Sequence, residues 1–182
     1  HGDVVAGVAV SKDQQYINKL RYGFMCELGS PLSPFNSWLL LRGMKTLGIR
    51  MEKHAENAML LANYLQEHDK VEHVCYPGLS DHEGHEIANE QMMGYGAIIS
   101  FTVKGGAEKA KELLTKFKMC KLAVSLGDAE TLVEHPASMT HRDYDKESLE
   151  EFGLSDDMVR VAVGLEDSKD IIIDFYEAFE QI

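Results

Sequence analysis

The sequence predicts a layered α/β domain in which helices pack against a sheet. Two observations predict this class. Apolar runs rich in β-branched residues alternate along the chain with segments of helical periodicity, as in α/β and α+β folds. The chain has 182 residues and is 45% hydrophobic, which is enough for one sizeable core or for a domain with an attached arm.

The first third of the chain is expected to contain one strand followed by helices. Residues 4–10 are β-branched and small, and should form a buried strand. Residues 13–26 carry apolar side chains at helical spacing. Residues 34–69 continue that pattern for an unusual length, and Ser33 should cap the helix that begins there.

Gly43 and Gly48 interrupt the long helical run and mark junctions. We place a domain boundary near Gly48. Residues 1–48 then end one domain and supply a connecting helix, and residues 49–182 form a second, smaller domain.

The second domain should alternate strands with helices. Strands are expected at residues 71–76, 97–103, 122–126 and 159–163. Helices are expected at residues 83–93, 107–118, 146–152 and 169–181. The stretch between residues 128 and 145 is poor in apolar residues. We expect it to be a loop that has a defined conformation but no regular secondary structure.

Charge and cysteine content narrow the function classes. The formal net charge is −12, from 30 acidic and 18 basic residues, which argues against nucleic acid as a partner. The apolar runs are too short to cross a bilayer, and three sparse cysteines (Cys26, Cys75 and Cys120) are typical of reduced thiols in a reducing compartment. We therefore expect a soluble, cytoplasmic protein with no membrane partner.

Two further features of the sequence bear on chemistry. His1 opens the chain in place of Met, so the chain is expected to be processed or to be the second part of something longer. His82 and His85 have the spacing of a metal-binding pair, but a zinc site needs three or four converging ligands. We therefore expect these two histidines to be structural or solvated, and no metal site.

Arg160 is the candidate ligand-binding residue. It lies in a predicted strand whose alternation places Val159 and Val161 on one face and Arg160 on the other, beside small residues. A guanidinium offers a planar fork of donors that fits a carboxylate, so Arg160 suggests a binding site for an acidic ligand. The alternative is an ordinary strand arginine paired with a local Glu or Asp.

Ser125 is the second candidate. It precedes Gly127 at the predicted end of a strand, where a tight turn would expose its hydroxyl and nearby amides. Taken singly, Ser125 could equally be a turn hydroxyl, His135 and His141 loop-bracing residues, and Met139 a gap filler.

Seven segments carry distinctive motifs: residues 1–7, 41–47, 50–54, 76–79, 124–132, 135–141 and 159–167. In this order they resemble the C-terminal half of the pyridoxal-phosphate enzymes of cysteine and methionine metabolism. The match spans essentially the whole chain. The sequence around the serine turn, residues 124–127, is most similar to that of the methionine gamma-lyases.

The resemblance implies the fold, the cofactor and the site residues. The fold would be the C-terminal part of a fold-type I PLP-dependent transferase-like enzyme, with residues 1–48 ending the large cofactor-binding domain. Arg160 matches the arginine that binds the substrate α-carboxylate, and Ser125 the serine that helps to hold that carboxylate and the cofactor. Val124, Leu126 and Met139 match residues that line the substrate side-chain region. Family members are tetramers built as dimers of dimers.

The catalytic lysine is the main departure from the family. It forms the Schiff base with the cofactor and would fall just upstream of His1, so no catalytic residue is assigned within this chain. We expect no turnover from this polypeptide alone. The residues that grip the cofactor phosphate are likewise expected in a segment that this sequence does not contain.

The implied activity is carbon–sulfur bond cleavage in a sulfur amino acid, with L-methionine giving methanethiol, ammonia and 2-oxobutanoate. Met25 and Cys26 stand where methionine gamma-lyases usually carry a Lys-Asp pair, so cystathionine gamma-lyase or gamma-synthase chemistry is an alternative. A rival from another class is a non-catalytic, amino-acid-binding or dimerising domain that keeps Arg160 as a ligand-binding residue.

Overall fold

The structure is a computed structural model that describes residues 1–182, apart from the side chains of Lys146 and Glu150. By their internal packing the residues form two compact units. One contains residues 1 and 3–47, and the other contains residues 2 and 48–182.

The first unit is helical after an extended start. Helix α1 spans Gln14–Asn18 and continues through a π-helical turn, Lys19–Phe24, into α2, Met25–Leu28; α3 spans Pro34–Met44. The side chain of Asp13 caps α1, and Ser33 caps α3 by accepting from the backbone N–H of Asn36 at 3.1 Å, as its position before a proline predicted.

The strand expected at residues 4–10 does not form, and this prediction was wrong. The segment has no regular secondary structure, and Val5 and Val8 are 94% and 88% exposed. A strand is stabilised by a hydrogen-bonded neighbour, and every strand of the described sheet lies in the second unit. Composition alone could not reveal that no partner strand is present for this segment.

The second unit is a five-stranded sheet with helices packed on it. Its strands are β1, Val71–Cys75; β2, Ile98–Val103; β3, Lys121–Leu122; β4, Leu132–Glu134; and β5, Met158–Ala162. Its helices are α4, Leu47–Gln66; α5, His85–Gln91; α6, Ala107–Leu114; α7, Lys146–Glu151; and α8, Ser168–Phe179. The expected alternation of strands and helices is confirmed.

The sheet order is β1-β2-β5-β4-β3, with β3 and β4 parallel and the other neighbours antiparallel. Strand β5 therefore lies at the centre, between β2 and β4. Val161 pairs with Ile99 on one side and with Val133 on the other, and all three are fully buried. Their core also contains buried residues of α4, α6 and α8, so these helices cover one face of the sheet.

The opposite face carries the polar residues of the central strand. Arg160 pairs in register with Ser100 of β2 and with Glu134 of β4. The period-two alternation predicted for β5 is confirmed, because Val159 and Val161 are buried in the core while Arg160 is only partly buried.

Helix α6 and the strand expected at residues 122–126 are shorter than predicted, and one strand was missed. The expected strand is reduced to Lys121–Leu122, and its last sheet bond runs from the Ala123 N–H to the Val133 carbonyl. Helix α6 ends at Leu114; the next two amides bond to carbonyls three residues earlier, and the Lys118 N–H bonds to Asp174 of α8. Strand β4 was missed altogether, since its three residues lie in a stretch that was expected to be irregular.

Candidate functional site: an arginine at the centre of the sheet

Arg160 is held in place by acceptors from two different segments. Its Nη2 lies 2.9 Å from Oε1 of Glu134 on β4 and donates to the backbone carbonyl of Ser125 at 3.3 Å. The side chain keeps 21% of its surface exposed. These are the side-chain contacts found for Arg160 among the described residues, and both use Nη2. Nε and Nη1 therefore remain available as donors to a ligand.

Glu134 is the residue that sequence reasoning missed. It is 1% exposed, and Thr140 donates to the same Oε1 at 3.4 Å. The ion pair matches the simpler interpretation of Arg160 as a strand arginine with a local acidic partner. It also leaves the arginine accessible, so the pair and a ligand-binding role are compatible. Recognising Leu132–Glu134 as a strand antiparallel to β5 would have placed Glu134 opposite Arg160.

The serine turn, residues 124–127, lies beside the arginine. Ser125 is exposed, and Gly127 adopts a φ of 78°, the left-handed conformation that glycine tolerates best. The carbonyl of Ser125 is committed to Arg160, whereas its hydroxyl has no protein partner within the described part of the chain. Ser125 therefore contacts the guanidinium through its backbone, and a serine hydroxyl together with a guanidinium is a donor set suited to a carboxylate.

The three predicted lining residues lie around these groups to different extents. Val124 and Leu126 flank Ser125 and are 54% and 58% exposed. Met139 is half-buried, and its sulfur accepts from the His135 N–H at 3.4 Å. It adjoins Thr140, which contacts Glu134.

His135 braces the loop that carries Met139. It is 2% exposed, its Nε2 lies 2.6 Å from the Asp156 carbonyl, and its Nδ1 lies 2.8 Å from Oγ of Ser138. Since a carbonyl can only accept, Nε2 carries the proton and Nδ1 accepts from the serine. This is the loop-bracing role that was one interpretation of His135.

A second cluster fixes the turn that follows β5. Glu166 accepts from the Thr131 N–H at 2.6 Å and from its hydroxyl at 2.8 Å, and that hydroxyl accepts from the Gly164 N–H at 2.9 Å. From α4, Nδ1 of His54 lies 2.6 Å from the Val163 carbonyl. These bonds hold β5 and the start of β4 in one rigid frame, and nothing in the local sequence pattern had indicated them.

The His82 and His85 side chains are engaged with backbone groups. Nδ1 of His82 accepts from the Gly84 N–H at 3.0 Å, and Nδ1 of His85 lies 2.8 Å from the Pro77 carbonyl. In the part of the chain that the structure describes, no three His, Cys, Asp or Glu side chains are grouped to hold a metal ion. Within the same residues, no helix combines the length and apolarity needed to cross a membrane.

The second unit is thus an α/β domain with a partly exposed arginine on its central strand, and comparison with known families identifies the group. Residues 1–180 match the family described as "Cys/Met metabolism PLP-dependent enzyme". The chain belongs to this family. The resemblance inferred from the motifs is confirmed.

Individual relatives agree with this assignment. The chain is 49% identical to an L-methionine gamma-lyase of Fusobacterium nucleatum subsp. polymorphum, over 100% of this chain and 46% of the relative. It is 41% identical to a cystathionine gamma-lyase of Dictyostelium discoideum, again over 100% of this chain and 46% of the relative. The chain therefore spans about half the length of the curated relatives it matches.

Solved structures show the same architecture. The crystal structure of metB from Corynebacterium glutamicum superposes with a TM-score of 0.89 at 40% identity, covering 94% of this chain and 44% of that one. A Campylobacter jejuni protein described as an O-acetylhomoserine (thiol)-lyase (metY) superposes with a TM-score of 0.87 at 34% identity, covering 93% and 41%. The latter carries a pyridoxyl-lysine phosphate at its position 205. The predicted α/β fold of a PLP-dependent enzyme is confirmed.

Proposed function

We propose that this chain is the substrate-carboxylate-binding portion of a pyridoxal-phosphate-dependent carbon–sulfur lyase that acts on L-methionine. The products would be methanethiol, ammonia and 2-oxobutanoate. The observation that carries the proposal is the hydrogen bond, 3.3 Å long, from Nη2 of Arg160 to the backbone carbonyl of Ser125, in a chain 49% identical to an L-methionine gamma-lyase.

The residues present fit one end of the cofactor site. Arg160 keeps two donor nitrogens available and Ser125 keeps its hydroxyl, which suits the carboxylate of an amino acid bound to the cofactor. When bound, pyridoxal phosphate supplies an electron sink that stabilises negative charge at the substrate α carbon. We infer that the lysine and the phosphate-binding groups come from another part of the whole protein, so the chain by itself should be inactive.

Each candidate site residue would have a defined role. Arg160 would bind the α-carboxylate through a guanidinium N–H group that Glu134 and the Ser125 carbonyl leave available, and the Ser125 hydroxyl would donate to the same carboxylate or to the cofactor. Val124, Leu126 and Met139 would line the substrate side-chain region. Fixing the carboxylate at two points orients the bond from the α carbon to its hydrogen, which lowers the entropic part of the barrier.

Domain organisation and assembly extend the proposal. The first unit would end the large cofactor-binding domain and the second would be the small C-terminal domain. The whole protein would be a homotetramer, arranged as a dimer of dimers, that acts in the cytoplasm in sulfur amino acid metabolism. The three free cysteines are consistent with a reducing compartment.

The experiment is a comparison of Arg160→Ala with Arg142→Ala in the intact enzyme. Arg142 is an exposed arginine, so its removal controls for lost charge. Removing one side of a carboxylate–guanidinium pair costs several kcal/mol, so Arg160→Ala should lower kcat/KM for L-methionine at least about 100-fold, mainly through KM. An unchanged KM in Arg160→Ala would refute the carboxylate-binding role.

A second candidate is cystathionine chemistry, which the 41% identity to a cystathionine gamma-lyase favours. Here kcat/KM for L-cystathionine would exceed that for L-methionine in the intact enzyme. A non-catalytic amino-acid-binding or dimerising domain is the remaining alternative. It would show no cofactor absorbance as isolated, and the mass of its gene product would be close to that of this chain rather than about twice as large.

A further inference from the structure

The buried carboxylate of Glu134 is poorly explained by stability alone. Glu134 is 1% exposed, and in the described residues its Oε2 is buried without a hydrogen-bond partner. Burying a carboxylate with one oxygen unpaired is unfavourable, and an ion pair of this kind stabilises a fold no better than apolar residues of similar size. The effect of Glu134 on its ion-pair partner, Arg160, explains the buried carboxylate better.

That effect is to fix the orientation of the Arg160 guanidinium. Glu134 Oε1 and the Ser125 carbonyl both hold Nη2, at 2.9 Å and 3.3 Å. The two acceptors belong to β4 and to the serine turn, so the guanidinium is fixed from two directions at one corner. Because the guanidinium is planar and rigid, holding it at Nη2 also fixes the directions in which the remaining N–H groups, on Nη1 and on Nε, point.

We propose that Glu134 is a positioning residue for substrate-carboxylate binding, acting through Arg160. The inference rests on the proposed function, because it deepens the role of the same site. A ligand-binding donor is effective only when its own side chain is held in place, since an error of a fraction of an ångström weakens the contact. Glu134 provides this lock from a register position directly opposite Arg160 on the neighbouring strand.

Register explains why a buried residue can do this. Directly opposed residues on antiparallel strands have Cβ atoms about 4.5–5.5 Å apart, a separation that two long side chains span when both leave the same face. Thr140 holds the same Oε1 from the loop that carries Met139, at 3.4 Å. The carboxylate therefore joins the arginine to the loop that carries Met139, and the arginine in turn contacts the serine turn.

The test is ligand binding by the intact holoenzyme, measured by calorimetry. The probe is L-norleucine, which has the shape of methionine but no sulfur to eliminate, and L-norleucinamide is the matched ligand without a carboxylate. The variants are Glu134→Met, which removes the acceptor, and Glu134→Gln, which keeps an acceptor oxygen. Glu130→Met, at an exposed glutamate, is the control.

Glu134→Met should weaken L-norleucine binding at least about tenfold, whereas Glu134→Gln and the control should stay within about threefold of the wild type. Binding of L-norleucinamide should change little in any variant. Combining Glu134→Met with Arg160→Ala should add little to the loss caused by Arg160→Ala alone, because both substitutions act on one contact. A purely structural role would lower the melting temperature without this ligand dependence.

Two results would overturn the proposal. One is wild-type L-norleucine affinity in Glu134→Met, and the other is losses that multiply in the double variant. Failure of the proposed function gives a different pattern, because the wild-type holoenzyme itself would then neither bind L-norleucine nor cleave a sulfur amino acid. In that case this inference falls with it.

Discussion

Asn57 ties helix α4 to the turn after the arginine strand by donating from Nδ2 to the Gly164 carbonyl at 3.0 Å. The same nitrogen lies 2.8 Å from the Glu166 carbonyl. Asn57 is 1% exposed. One buried side-chain amide therefore donates to two carbonyls of the turn, neither of which has a partner in the sheet. These two hydrogen bonds fix the point at which β5 ends.

Asn57→Ala should lower the free energy of unfolding of the intact protein by about 1–2 kcal/mol, because two buried carbonyls lose their donor. Urea unfolding followed by circular dichroism measures this. Asn63→Ala, at an exposed position of the same helix, controls for the helix propensity of alanine and should be neutral or slightly stabilising. Equal effects of the two substitutions would contradict the bridging role.

Gly164→Ala should be destabilising by about 2 kcal/mol, since an added Cβ has no room. It would meet the Glu166 side chain and the Ala129 carbonyl, and it would lie 2.5 Å from the Thr131 nitrogen. Gly48→Ala is the matched control, because a Cβ there meets nothing within 4 Å. This substitution in α4 should raise the free energy of unfolding by about 0.5 kcal/mol. A stable Gly164→Ala protein would mean that the turn is looser than the structure shows.

Asp174 should be a major stabilising residue of the second unit. Its carboxylate accepts from the backbone N–H groups of Lys118, Met119 and Cys120 at 2.9, 3.1 and 2.8 Å, in the segment that leads into β3. Asp174→Ala should cost about 3 kcal/mol of unfolding free energy, given three charge-assisted bonds. Asp170→Ala, at an exposed position of the same helix, should cost less than about 1 kcal/mol. A loss at Asp174 no larger than this control would refute the role.

His68 should make the protein less stable in mild acid. Burial lowers the pKa of His68 from its ordinary value of 6.5 and the Lys70 charge adds to this, while Asp69 and Glu180 oppose it. The ring stacks on Phe179, with centroids 4.2 Å apart. Because the folded pKa lies below the unfolded one, the unfolded state binds more protons, so stability is present above about pH 6.5 and falls as the pH drops through the folded pKa.

The measurement for His68 is the free energy of unfolding at several pH values between 7 and 5. His68→Gln should make its decline with acid shallower, whatever the substitution does to the absolute stability. His73→Gln, at an exposed histidine of β1, is the matched control. The same decline in the wild type and in His68→Gln would contradict the assignment.

Local patterns predicted the side-chain alternation of β5 and the start of helix α3. Val159 and Val161 alternate with Arg160, and helix α3 begins where Ser33 and Pro34 indicated. These features depend on neighbouring residues, because side-chain direction in a strand and capping of a helix are set within a few positions. The adjacency of Arg160 and Ser125, 35 positions apart in sequence, was expected only from the family resemblance.

The sequence by itself determined the class of fold, the family and the identity of the candidate ligand-binding arginine. Hydrophobic periodicity and short sequence motifs can be read from residues that are neighbours along the chain. The tertiary structure decided what surrounds that arginine. Strand β4 was too short to be recognised, yet pairing it with β5 places buried Glu134 against Arg160. The same kind of long-range pairing is missing for residues 4–10, whose strand-like composition has no neighbour in the described sheet. Sheet neighbours lie far apart along the chain, so register and partner choice are properties of the whole fold.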